Sequence, residues 1–343
     1  MTHAQGAGEP LAEETRTTIG FVLSHEQFPA PQLLELGVQA EQAGWDAVWT
    51  SDHFQPWQDN EGHAGQAWVT LAALGSRMPR IPMGTGVTCP TYRYNPAIVA
   101  QAFASLGILY PGRIFLGVGT GEALNEQAAG GGWGEYEERA ERLIEAVQVI
   151  RALWQGEIVN HSGRYYTVQN AKLYDVPDQP VPIYMAASGE ESMRHAGEYG
   201  DGLITDPKSL KKPELMAAFR AGAQKAGRNA AALPVIVEHW VVVGDKAEAE
   251  RYAPLWRFIP KAWDKYVTNP DPRDIQRQAE QDVSLEEVYK DWPVSTDPQV
   301  HIQGLQKLLD AGATHVFVHS PQADQERVIR FYGQQVLPQL KRK

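Results

Sequence analysis

The feature that most limits what this chain can fold into is a rhythm. Short apolar runs rich in β-formers alternate with helical patterns at nearly constant intervals. The first four runs cover 18–23, 46–50, 82–87 and 113–119, so they begin 28, 36 and 31 residues apart. One strand, one turn and one helix fill such a step, and repetition of that unit predicts a parallel sheet. Between the runs, Leu33, Leu34, Leu36, Val38 and Ala43 fall near helical spacing. Pro31 suits the first turn of that helix and Gly44 its stop. Further helices are expected over 68–76, 96–106 and 135–155. Then the rhythm breaks. The stretch 157–174 places His161-Ser-Gly-Arg164 between two β-like runs and reads as an inserted hairpin. Strands resume at 182–187, 202–205, 235–243 and 315–319, with helices over 190–199, 213–227, 246–258, 298–311 and 325–340. The charged stretch 259–292 is too polar for a barrel strand and reads as a helical insertion.

Eight strand–helix units predict an α/β fold, a (β/α)8 TIM barrel, with its site at the carboxyl-terminal ends of the strands. The alternative is an open doubly wound sheet, but no G-x-G-x-x-G follows the first strand. The 343 residues alone allow one or two domains. The spacing favours a single domain over 18–343, with insertions at about 156–181 and 259–297, after a leader at 1–17. That leader reads as frayed chain and not as a signal peptide.

Composition narrows the function. Apolar residues make up 43% of the chain, enough for a large core, and no run is long enough for a membrane helix. With 31 basic against 42 acidic residues the net charge is −11, which disfavours nucleic acid and anionic membranes as partners. The basic cluster Lys208, Lys211 and Lys212 reads as a solvated helix start. Cys89 is the single cysteine, and His63, His195, His239 and His319 lack metal-ligand spacing, so neither a disulfide nor a metal site is expected. A cytoplasmic enzyme acting on a small molecule is the expectation.

The barrel rule turns strand ends into candidates. The second strand ends in Ser51-Asp-His-Phe-Gln-Pro-Trp57, where Asp52 and His53 could form an acid–base pair, or cap a helix and pack a loop. The fourth ends in Gly117-Val-Gly-Thr-Gly-Glu-Ala-Leu-Asn-Glu126, whose glycines admit a ligand close to the backbone. Glu122 there is either a buried acid or a first-turn residue favoured by the helix dipole. The fifth ends in Ala186-Ala-Ser-Gly-Glu-Glu-Ser192, an anion cradle or a plain N-cap at Ser188. Trp57, Trp68, Trp133 and Trp263 stand in loops or insertions where a ring could stack on a ligand.

Together with Gly84-Thr-Gly-Val87 and Tyr92-Arg-Tyr-Asn-Pro96, these motifs identify a resemblance. From 18 to 340 the chain resembles the deazaflavin (coenzyme F420)-dependent dehydrogenases of the bacterial luciferase-like superfamily. The resemblance implies a barrel holding coenzyme F420 in its mouth and a hydride passed between it and a substrate carbon. It implies His53 as base or acid at the carbinol, Glu122 as the proton partner of the ring, and Trp57 beside the reacting carbon. Asp52, Cys89, Thr120, Gly121 and Asn125 would contact the cofactor, and Gly86–Val87 matches a cis peptide backing its ring. Ser188, Gly189, Glu191 and Ser192 would line its phosphate-bearing tail. Ser24-His-Glu-Gln-Phe28, Gln58-Asp-Asn-Glu-Gly-His63, Gly86-Val-Thr-Cys-Pro90 and Leu255-Trp-Arg-Phe258 look closer to the hydroxymycolic acid branch than to the glucose-6-phosphate branch.

Two departures bear on substrate. Cys89 replaces a threonine beside the cofactor. In the sugar-phosphate branch two lysines and an arginine clamp the phosphate; here Lys208, and Lys261 or Lys265, could match the lysines, but Asp291 stands at the arginine position. An alcohol dehydrogenase is therefore expected, with Trp256, Phe258 and Trp263 favouring an apolar substrate and glucose-6-phosphate a poor one. The alternatives are a sugar-6-phosphate dehydrogenase, a flavin-mononucleotide monooxygenase and a non-catalytic barrel. The resemblance also implies a homodimer.

Overall fold

The computed structural model describes residues 16–342. The leader expected at 1–17 falls almost wholly outside them. In chain order the elements are β1 (Thr18–Leu23), α1 (Ala30–Gln42), β2 (Ala47–Thr50), α2 (Ala67–Arg77), β3 (Met83–Thr85), α3 (Pro96–Leu109), β4 (Ile114–Val118), α4 (Ala123–Glu126) and α5 (Tyr136–Leu153). The hairpin β5 (Val159–Ser162) and β6 (Thr167–Ala171) follows, then β7 (Ile183–Ala186), α6 (Glu190–Tyr199), β8 (Gly202–Thr205), α7 (Pro207–Leu210), α8 (Pro213–Lys225) and β9 (Val235–Trp240). The chain ends with β10 (Val242–Val243), α9 (Lys246–Tyr252), α10 (Pro272–Asp282), α11 (Leu285–Tyr289), β11 (Val294–Ser295), α12 (Pro298–Asp310), β12 (His315–His319) and α13 (Gln325–Phe331).

Eight strands close a parallel barrel in the order β1-β12-β9-β8-β7-β4-β3-β2. The expected TIM barrel is present, and the open sheet is ruled out by the β1–β12 ladder, Thr18 beside His315 through Phe21 beside Val318. Inside the barrel, Val22, Ala47, Trp49, Phe115, Ile204, Ile236 and Phe317 form one apolar cluster. Trp49 and Phe317 stack at 4.1 Å and 3°. Gly20 faces the Phe317 ring, which occupies the place a Cβ would take. A larger core joins the outer strand faces to the helices through Leu33, Leu71, Phe103, Ile150 and Phe219. The second insertion buries a core of its own, with Trp256, Phe258, Tyr266, Ile275 and Val288, seated on the barrel through Trp57 and Leu124.

The structure departs from the sequence reading at four places. The run expected over 82–87 ends its strand at Thr85; the Gly86–Val87 peptide beyond it is cis, and Thr88 bridges to Val118. The run expected over 235–243 divides, and β10 leaves the barrel to pair with β11. The helix expected over 246–258 stops at Tyr252, since Pro254 cannot donate a backbone bond, and a 3₁₀ turn (Ala253–Trp256) follows. The last helix widens into a π turn at Tyr332–Val336.

Candidate functional site

The candidate residues gather at the carboxyl-terminal mouth of the barrel. Asp52, just beyond β2, does not cap a helix. Its carboxylate is buried and accepts bonds from Thr88 Oγ1 at 2.6 Å, Tyr94 OH at 3.1 Å and Arg93 Nη2 at 3.3 Å. Arg93 also donates to the Asp52 carbonyl at 2.5 Å and pairs through Nε with Glu126 at 3.1 Å. One buried guanidinium thus ties the end of β2 to the helix after β4. Glu126 accepts the Arg93 N–H at 2.8 Å, yet burial outweighs Arg93 and pushes its carboxyl up to about 7.

His53 sits between two anchors. Its Nε2 faces Glu26 Oε1 at 3.3 Å, and its Nδ1 lies 3.1 Å from both the Gln55 carbonyl and Asn125 Nδ2. Asn125 is fully buried and orients this corner. Its Oδ1 accepts the Phe54 N–H at 2.8 Å and the Gln55 N–H at 3.2 Å, and its Nδ2 also donates to Glu122 Oε2 at 3.0 Å. One amide therefore joins the two acid–base candidates, His53 and Glu122. Behind His53, Glu26 accepts the hydroxyls of Ser51 at 2.5 Å and Ser24 at 2.8 Å. Burial would raise its carboxyl, but His53 and those hydroxyls outweigh it and hold Glu26 below the usual range. Glu61, packed nearby, is pushed well above the usual range by burial and by the Glu26 charge.

Aromatic rings wall the side facing the insertion. Trp57 stacks on Phe258 at 4.7 Å and meets Trp263 edge-on at 5.9 Å. Trp240 carries His319 at 3.7 Å, Trp256 at 4.5 Å and Trp292 at 5.3 Å. The expected cations are already engaged. Lys208 Nζ lies 3.6 Å from Asp291. Lys261 donates to the Asp282 carbonyl at 2.8 Å, and Lys265 pairs with the Asp282 carboxylate. Trp256 is buried among rings, with no hydrogen-bond partner on its indole nitrogen.

The remaining candidates lie along β3, β4 and β7. Val87 and Ala186 are half-buried against the interior cluster at the ends of β3 and β7 and form an apolar floor at the mouth. Gly119 leaves no room for a Cβ, which would stand 2.8 Å from Val87 Cγ2, and Cys89 is buried close by with its thiol pushed well up by burial. Thr120 is half-buried, and Gly121 turns the chain at φ 89°. Beyond β7, Gly189 and not Ser188 is the N-cap of α6, held through Ser192 Oγ at 3.1 Å; Ser188 and Glu191 are exposed. An apolar floor ringed by Asp52 and Glu122 fits a flat polar-edged ring such as a deazaflavin. A cavity of about 150 Å³ opens at the other end of the barrel, lined by Thr18, Pro82, Tyr184 and His315 among others, and none of the candidate residues borders it.

Sequence reasoning missed the roles of Glu26, Arg93 and Glu126. Glu26 lies just past β1, so the barrel rule applied to the first strand would have listed it. No local signal marks Arg93, whose partners are 41 and 33 positions away.

Comparison with known proteins follows this geometry. A family model described as luciferase-like monooxygenase matches residues 12–315. The chain is 52% identical to the F420-dependent hydroxymycolic acid dehydrogenase of Mycobacterium tuberculosis, over 97% of this chain and 91% of that protein. It is 41% identical to the F420-dependent glucose-6-phosphate dehydrogenase of Gordonia bronchialis, over 97% and 99%. Among solved structures, an F420-dependent secondary alcohol dehydrogenase in complex with an F420–acetone adduct superposes with a TM-score of 0.87 at 32% identity, covering 94% of this chain and 98% of that one.

Proposed function

Since the chain belongs to the luciferase-like family and is an F420-dependent dehydrogenase acting on an alcohol carbon, we propose that His53 is its carbinol base, with Glu26, Asn125 and Glu122 as its supporting frame. Coenzyme F420, when bound, supplies the two-electron hydride chemistry. The observation that carries the proposal is the His53 ring held between Glu26 and Asn125. The His53 ring, its side chain 11% exposed beside the Glu26 carboxylate, can take the hydroxyl proton of an alcohol bound in the mouth. The imidazolium so formed faces a carboxylate that its neighbours keep ionised. Glu122, tied to the same amide, would exchange a proton with the cofactor ring. Trp57, fixed by Phe258, closes the space beside His53 and excludes water.

In this reading Asp52, Gly86, Val87, Cys89, Thr120, Gly121 and Asn125 border the cofactor ring, and Ser188, Gly189, Glu191 and Ser192 border its tail. The substrate end is aromatic and charge-compensated. Lys208 faces Asp291 and Lys261 is held on the Asp282 carbonyl, which disfavours both as clamps for a sugar phosphate. This supports an apolar alcohol and makes glucose-6-phosphate the weaker reading. We also read the enzyme as a cytoplasmic homodimer. Val69 on α2 and Ile98, Ile108 and Leu109 on α3 leave large apolar side chains exposed on neighbouring helices. No helix of the described residues is long and apolar enough to cross a membrane.

Steady-state kinetics with F420 and a secondary alcohol test the frame. His53→Ala should lower kcat by about 10²- to 10⁴-fold, as removal of a positioned base does. Glu26→Gln should lower it less, because the imidazolium loses its counter-charge. Unchanged turnover in His53→Ala contradicts the assignment.

A further inference from the structure

Glu238 is a carboxylate on the inner face of the barrel. Side chains alternate along a strand, and Ile236 belongs to the interior cluster, so Glu238 and Trp240 of β9 face inward too. On β12 the same step leads from Phe317 of that cluster to His319. The register sets Phe317 beside Glu238 and His319 beside Trp240, so the pair stands above the cluster, towards the mouth. His319 Nδ1 donates to Glu238 Oε1 at 2.7 Å. The His319 ring lies against Trp240 at 3.7 Å and meets Trp256 edge-on at 4.9 Å, which fixes its plane. Its Nε2 is buried with no partner, so Glu238 holds its only bonded nitrogen among the described residues. The Glu238 side chain is 37% exposed against 6% for His319, and its second oxygen has no partner among the described residues.

Rings connect this pair to the reacting centre. Trp256 meets Phe258 at 5.9 Å, and Phe258 stacks on Trp57 beside His53. Along the barrel, β12 and β1 lie between β9 and β2, whose end carries His53. Three strand spacings of ~4.8 Å make an arc of about 14 Å, shorter across the mouth. A chain of several carbons covers that distance. An alcohol with its carbinol at His53 and its body along these rings therefore brings its far end to Glu238. A carboxylate with one oxygen already bonded and the other open accepts a hydroxyl hydrogen and repels an anion.

We propose that Glu238, positioned by His319, is a specificity-determining residue that accepts a hydrogen bond from a second hydroxyl at the far end of the substrate. The substrate class is then an uncharged alcohol with an apolar body and a distal hydroxyl, and anionic alcohols are rejected. This rests on the alcohol dehydrogenase reading and deepens it. Glu238 touches the substrate; His319 acts through Glu238.

Initial rates of F420 reduction by three secondary octanols, bearing a terminal hydroxyl, methoxy or carboxylate group, test it. In the wild type, kcat/KM for the hydroxyl compound should exceed that for the methoxy compound about tenfold or more, as a hydrogen bond to a charged group does. The carboxylate should be the poorest of the three. Glu238→Leu should bring the hydroxyl-to-methoxy ratio to about one, Glu238→Gln should leave it between, and both should narrow the gap to the carboxylate. His319→Phe keeps a ring and removes the N–H, so the ratio should fall; His319→Asn, which restores a donor, should recover part of it. Each ratio is taken within one variant, so a loss of folded enzyme cancels. A wild-type ratio near one, or a ratio that survives Glu238→Leu, overturns the assignment and leaves the dehydrogenase reading standing. No F420 reduction with any of the three overturns that reading and the proposal with it.

Discussion

Glu126 shows how burial and a single ion pair compete at one residue of this site. Its carboxyl titrates near about 7 in the folded protein, raised by burial against the pull of Arg93, from an ordinary value of 4.5. Between those values the folded state holds a proton that the unfolded chain has released. Stability therefore falls as pH rises across that window, by at most ~1.4 kcal/mol per pH unit for one site. Glu126→Gln keeps the acceptor for the Tyr92 and Arg93 N–H groups and removes the titration. Melting temperatures taken from about pH 5 to about pH 8 should fall less steeply for this variant than for the wild type. Identical slopes would contradict the raised value. The residues legible in the sequence were those whose position alone carries meaning: Asp52, His53, Glu122 and Asn125 sit at strand ends inside long family motifs. Glu26 was within reach of the strand-end rule, but Arg93 acts through partners 41 and 33 positions away, so nothing local announced it.

Elements were legible where local pattern and tertiary demand agree. β1, β8, β12 and α6 fall at their expected bounds, because β-rich runs or a capped amphipathic turn are enough to set them. The division of the ninth run into β9 and β10 was not legible, since the apolar stretch is continuous and only pairing with β11 draws its end out of the barrel. Close packing of helices was equally silent. At the crossing of α6 and α8, a Cβ on Gly197 would overlap the Phe219 carbonyl and one on Gly222 the Arg194 carbonyl. Gly222→Ala should push these helices apart and cost about 1–3 kcal/mol, as overpacking does. Its urea midpoint should drop accordingly, whereas Gly227→Ala, where nothing lies within 4 Å but φ is 70°, tests backbone strain alone.

At the scale of the whole molecule, the barrel mouth gathers the candidate residues and the second insertion packs its aromatic core against them through Trp57. The repeated step of about 30 residues gave the architecture away, but the wall of Trp57, Trp240, Trp256, Phe258 and Trp292 comes from four separate segments and assembles only in space. The apolar residues left exposed on α2 and α3 belong to this scale too. Val69→Asp with Ile98→Asp should yield a monomer in analytical ultracentrifugation where the wild type sediments as a dimer, and a monomeric wild type would contradict the dimer reading. The central claim is hydride transfer from an apolar alcohol to F420 under His53. Its most direct measurement is anaerobic, single-turnover loss of oxidised F420 absorbance on mixing with a secondary alcohol, protiated or deuterated at the carbinol carbon. The account predicts loss of the absorbance, slowed by deuterium, in the wild type and hardly at all in His53→Ala, with glucose-6-phosphate giving little. Rapid turnover of glucose-6-phosphate with none of the alcohol, or an alcohol rate untouched by His53→Ala, would contradict it.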